Sequence, residues 1–237
     1  MSLTYLTYVA SLVNLMPVDS ASDPSFVTVL PNIIDDAEQR LYRELDLLNT
    51  NTTQTGTFTT GQRTFDLPSA NGTVVVVNRI NVWTPLASSS ANATRNPLLP
   101  IGNDALDALW PSATGSSVPQ YFGMVTQTTI LVGPWPDQAY TVEVTGTVRP
   151  AAISTTNATT LLSVYFPDLF IAASMVFASG YMKNFGAQMD DPKMAVSWQS
   201  HYDQLMASAQ TEEQRKRFNM AGWSSKQPAP QATPERT

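Results

Sequence analysis

Apolar residues at helical spacing open the chain: Leu6, Val9, Leu12, Val13 and Met16 recur every three or four positions until Pro17 interrupts them. Asp23-Pro24 then supplies a cap followed by a proline suited to a first helical turn. Phe26, Leu30, Ile33, Ala37, Leu41, Leu45 and Leu48 form one stripe through a second helical segment that should end near Asn49. Pro31 lies inside that stripe, so the pattern allows either a kinked helix or a short helix followed by a long one. Asp36 and Arg40, four apart, should pair on its outer face.

From residue 50 the period changes. Residues 50–62 are Thr, Asn, Gln and Gly, which suits turns and exposed edge strands. Residues 74–83 read as a strand with Ile80 and Val82 inward and Arg79 and Asn81 outward, and residues 85–96 as a mobile Ser/Ala/Asn loop. Residues 106–110 suit one or two helical turns stopped by Pro111, and residues 120–125 and 128–132 suit a hairpin. In residues 140–148, Val142, Val144 and Val148 alternate with Thr141, Glu143, Thr145 and Thr147, the period of a half-buried strand. Such strands predict a small antiparallel sheet or barrel, with residues 151–160 connecting back to helices.

The third helix should start at Pro167 and stack Leu169, Ala173, Val176, Gly180 and Phe185 along one side. A turn from Gly186 to Pro192 leads into a fourth helix carrying Trp198, Tyr202, Leu205 and Ala209, with Glu212/Lys216 and Glu213/Arg217 at ion-pair spacing. After Phe218 the chain becomes Gly, Ser, Pro and Gln around a lone Trp223, a composition that buries too little to fold alone. The expectation is therefore an α+β protein. Residues 1–49 and 161–220 form a helical bundle, 50–160 an antiparallel β insertion, and 221–237 an extended tail.

Composition narrows the chemistry. Across 237 residues, 43% are hydrophobic, enough for a sizeable core, while only 14% are charged against an average of roughly 25%. The net charge of −6 opposes general affinity for a phosphate backbone. With no cysteine and one histidine, His201, the chain has no thiolate nucleophile and no multi-imidazole zinc cluster. Residues 3–16 are apolar, but the first basic residue is Arg40, so a folded helix is expected there rather than a secretion leader. No stretch reaches the ~20 apolar residues of a membrane span.

The remaining candidates for chemistry all have plainer readings. Trp198 and Tyr202 share a core stripe, Asp190-Asp191 precedes a proline as a helix cap, and Asp35 and Asp36 diverge on a helix. His201 reads as a core-edge or solvated residue. No catalytic residue, cofactor site or metal site is expected.

The order of the pieces carries a resemblance. Asp35-Asp36-Ala37-Glu38-Gln39-Arg40-Leu41-Tyr42-Arg43-Glu44-Leu45 resembles the second-helix motif of tailed-bacteriophage head-to-tail adaptor (connector) proteins. The likeness continues through Asn96-Pro97-Leu98, the Leu109-Trp110-Pro111 corner and Pro119-Gln120-Tyr121-Phe122. It closes with the segment from Ile130 to Pro136, then Val148-Arg149-Pro150, Phe166-Pro167-Asp168-Leu169 and the Trp198/Tyr202 helix.

This resemblance implies a non-enzymatic virion protein of the phage neck, assembled in the host cytoplasm. Neighbouring copies would form a ring, usually dodecameric, below the portal protein. The ring would extend the DNA channel, let genomic DNA pass without specific binding, and receive tail (nozzle or tail-tube) proteins, with no membrane involved. The tail would grip the portal through Arg215, Arg217, Phe218, Met220, Trp223 and Lys226. Two other readings compete: a binding module that uses the β insertion for a glycan or protein, and a peptidoglycan-cleaving enzyme built on a carboxylate pair.

Overall fold

The structure is a computed structural model that describes residues 3–16, 24–86, 92–180 and 194–220. Helix α1 (Tyr5–Leu15) starts at Thr4, whose side chain and that of Thr7 cap each other's backbone N–H groups. Its inward face is Tyr8, Leu12 and Met16, while Leu6 is 74% exposed. The expected stripe was rotated because a tyrosine takes the central place. Tyr8 stacks on Phe170 with ring centroids 4.5 Å apart, and its hydroxyl satisfies itself on Phe170 O and Ser174 Oγ.

Helix α2 (Pro24–Glu44) runs through Pro31 as one element. It ends at Glu44 rather than near Asn49, and a short 3₁₀ turn, Leu48–Thr50, follows. That change of path buries Leu47 and leaves Leu48 half-buried. Arg40 bonds Glu44, at 2.9 Å, rather than Asp36. The cap at Asp23 lies outside the described residues, as do Phe185, the turn from Gly186 to Pro192 and Asp190-Asp191.

Helices α5 (Pro167–Ser179) and α6 (Met194–Met220) complete the helical part, preceded by a short α4 (Leu161–Tyr165) not foreseen in the sequence. Thr160 and Ser163 cap α4 in the reciprocal manner of Thr4 and Thr7. One buried cluster joins α1, α2, α5 and α6, with Leu12, Ile34, Leu41, Phe170, Met175 and Tyr202 among its members. Helix α5 is apolar nearly all round and is accordingly buried on most of its faces.

Between α2 and α4 the chain builds two four-stranded sheets. The first is ordered β1 (Asn51–Thr57), β8 (Thr141–Arg149), β3 (Thr73–Thr84), β4 (Thr94–Pro97), all antiparallel. The second is ordered β2 (Thr64–Asp66), β7 (Thr129–Gly133), β6 (Tyr121–Met124), β5 (Leu99–Pro100), and its β5–β6 pair is parallel. The expectation of purely antiparallel pairing thus fails at one edge, where Leu99 and Pro100 follow β4 directly and run alongside β6. Side chains from both sheets, including Phe65, Ile80, Val82, Ile130, Val142 and Val144, share a second core.

Helix α3 (Asn103–Leu109) packs against β6 and β7. Gly133 makes room there: a Cβ on it would collide with Trp110 and Leu106. Trp110 stacks on Tyr121, and Trp135 Nε1 donates to Trp110 O at 3.0 Å, so the corner is locked from both sides. Gly72 turns the chain into β3 with φ of +119°, and a Cβ there would strike Arg149 O.

Candidate functional site

Charged side chains in the described residues work chiefly as joints. On the first sheet, Glu143 lies opposite Asn81 and was expected to face solvent with it, yet both are buried. Asn81 Nδ2 donates to Glu143 Oε1 at 2.9 Å, and Arg95 Nε from β4 reaches both carboxylate oxygens at 3.1 and 3.0 Å. Burial works against the charged form of Glu143, but these bonds and the Arg95 charge outweigh it and lower its pKa. Arg63 similarly ties the β2 region to α3 through Asp107 at 2.8 Å.

Between the helices, Tyr202 donates to Glu44 Oε2 at 2.6 Å while Arg40 bonds the other oxygen and covers the Tyr202 ring at 4.1 Å. Burial opposes ionisation of Glu44, yet the Tyr202 and Arg40 hydrogen bonds prevail and hold its pKa down. Glu38, 2% exposed, accepts the Ile153 N–H at 2.9 Å and so fastens the connector of residues 151–160 to α2. Here burial is the largest influence and pushes the carboxyl pKa up.

The C-terminal end of α6 meets the segment between α2 and β1. Glu213, expected to pair with Arg217, is buried and instead accepts the Leu48 N–H at 2.9 Å and Lys216 Nζ at 2.7 Å. Lys216 also bonds Glu212 at 2.7 Å as expected. Burial disfavours its ammonium, but the two carboxylates more than compensate and raise its pKa. Arg217 pairs with Asp46 and donates from Nη2 to Asp46 O at 2.9 Å. The helix turns so that Glu213 faces inward because an unpaired Leu48 N–H needs an acceptor there.

Of the residues expected to grip a partner, Arg215 is exposed and Arg217 is engaged with Asp46. Phe218 and Met220 belong to the last turns of α6, and Trp223 and Lys226 lie outside the described residues. His201 is exposed beside half-buried Trp198, and Tyr202 is core. Asp35 serves Gln39 rather than an acid pair. Sequence spacing could not find Glu38, Asn81 or Glu143 as buried polar groups, since their partners lie far along the chain.

Next to this joint is an open cleft of about 590 Å³ between the end of α2 and the outer face of the first sheet. Its walls include Leu48, Val75, Val76, Arg43, Arg149 and Arg217. Val75 and Val76 are 40% and 52% exposed. Two bulges in β3, between Val74 and Val76 and between Val77 and Arg79, bring adjacent valines to that surface. Among the described residues no group of three His, Asp or Glu side chains is placed to hold a metal ion, and no helix is long and apolar enough to cross a membrane.

The buried polar side chains thus fasten strand to strand, connector to helix and helix to helix. A family model described as SU10 adaptor protein matches residues 3–226, so the chain belongs to the SU10 adaptor protein family. That family is one of structural phage adaptors, which places the chain among virion components that interact with portal and tail proteins. A search among curated proteins finds no match.

Proposed function

We propose that this protein forms a ring beneath the portal of a tailed phage, extends its DNA channel and docks tail proteins below. The observation that carries this reading is the family match, which runs through both helical parts, the whole β region and into the tail. In this reading residues 1–49 and 161–220 act as one bundle that walls a ring, probed first as a dodecamer. Residues 50–160 project from it as an insertion, and residues 221–237 extend away.

The low charge density supports the role. A surface of Thr, Ser, Asn and Gln with net charge −6 gives passing DNA little to adhere to. The proposed grip on the portal comprises Arg215, Phe218, Met220, Trp223 and Lys226, with Arg217 fixing the helix end from which they project. A segment poor in apolar side chains gains specificity when one large aromatic fills a partner's pocket, and Trp223 is the aromatic of residues 221–237.

Mixing the purified chain with portal rings and imaging the product by electron microscopy tests this. A symmetric layer of added density on one face of the portal is expected. Truncation after Arg217 should abolish attachment, and Trp223→Ala should weaken it by about 2 kcal/mol. Portal rings that stay bare with the full chain would reject the adaptor reading; undiminished binding by the truncated chain would move the contact to the helices.

A further inference from the structure

The cleft beside the α6 terminus has exposed valines among polar and charged walls, arginines and carboxylates both, and a chain end within reach. We propose that in the isolated protein this cleft seats the indole of the chain's own Trp223. The inference concerns the unassembled chain and stands whether or not a portal is its eventual partner.

Three observations carry it. First, Val75 and Val76 present aliphatic surface on a sheet face where the neighbouring strand residues Asn51 and Thr147 are polar. A volume of about 590 Å³ lies within the roughly 300–1,000 Å³ typical of sites that take a small compact group. Second, Arg43 and Arg149 line the same cleft with Glu44 and the Arg217–Asp46 pair, and Arg149 Nε has no hydrogen-bond partner among the described residues. An aromatic face against aliphatic carbon with guanidinium alongside is the environment an indole takes best, since the ring quadrupole attracts the cation.

The third observation is geometric. Arg217 is itself a wall of the cleft and is paired with Asp46, so the end of α6 is held beside the cleft. From Arg217 to Met220 the helix rises only about 4.5 Å. Three more residues, spanning at most roughly 10 Å, reach Trp223. Gly222 stands immediately before it, and a glycine just past a helix permits the left-handed turn that reverses the path. Trp223 is also the sole aromatic after Phe218, so no other residue of the segment competes for the seat. Until a partner offers a better pocket, the anchor is thus sheltered against its own fold.

The absence of cysteine makes a clean test possible. Asn78, on the cleft wall, and Ser224, next to Trp223, are replaced together in the full chain by Asn78→Cys and Ser224→Cys. Mild oxidation should give a disulfide within one chain, read as a faster-migrating monomer with the mass of one closed bridge. The same pair carrying Trp223→Ala should lose it, and Leu6→Cys with Ser224→Cys, at an exposed position of α1 that does not line the cleft, should form none.

As a second readout, the emission of native protein minus that of Trp223→Phe isolates the Trp223 signal. It should be shifted to the blue of free tryptophan and shielded from acrylamide, and Val76→Glu should restore solvent-like emission. Cross-linking between two chains that grows with concentration would overturn the proposal in favour of a second copy as the occupant. A Trp223 spectrum matching free indole in water, or a bridge insensitive to Trp223→Ala, would overturn it outright.

Discussion

Glu44 and Glu38 sit on the same helix and respond to pH in opposite directions. Glu44 is held below its ordinary 4.5 by Tyr202 and Arg40, so its contribution to stability is present above that value and fades as pH falls through the lowered pKa. Tyr202→Phe should therefore cost about 1 kcal/mol at neutral pH, a figure kept small by the partial exposure of Glu44, and less in acid. Urea titrations of both proteins at pH 7 and at pH 3 provide the comparison. Glu38 is pushed above 4.5 by burial, so its ionisation costs stability once pH rises past the unfolded value. Glu38→Gln keeps an acceptor for the Ile153 N–H and removes the buried charge. It should gain in Tm relative to the native protein as pH is raised from 4 to 8, whereas Glu38→Ala, which leaves that N–H unpaired, should lose about 2 kcal/mol.

At the scale of elements, the helices lock through α5. Phe170 is fully buried, stacks on Tyr8 and offers its carbonyl to the Tyr8 hydroxyl, so one turn of α5 holds α1 by ring and backbone together. Phe170→Ala should destabilise by about 3–5 kcal/mol, measured by denaturant unfolding, because the surrounding helices cannot close the cavity. In the β region the sensitive point is a turn. Gly72→Ala would force a Cβ into Arg149 O at a positive φ, so a loss larger than about 1 kcal/mol is expected. Thermal melting reads it directly, and an unchanged Tm would show that the β3 entry relaxes freely.

For the whole molecule, few charges and a Thr-rich surface favour weak lateral contacts over tight self-association. The isolated chain should sediment as a monomer or a weakly associating species, and closed rings should appear only with portal present. Stable rings without portal, seen by electron microscopy, would contradict this ordering of assembly.

The helices α1, α2, α5 and α6 and the strands β3 and β8 were legible along the chain because an apolar period of 3.6 or 2 is a local property. So were the corner at Trp110 and the hairpin of β6 and β7, whose turn residues are local too. The extent of α2 was not: nothing near Leu45 says that the helix must stop so that Leu47 can enter the core and Leu48 can offer its N–H to Glu213. Nor could alternation reveal that Asn81 and Glu143 are buried, since Arg95 closes over them from a strand read as loop. The division of the β region into two sheets, the parallel pairing of β5 and the inward turn of Glu38 belong to the same class. Each depends on where residues distant in sequence supply a partner for a polar group that burial would otherwise leave unsatisfied, and that match exists only once the chain is folded.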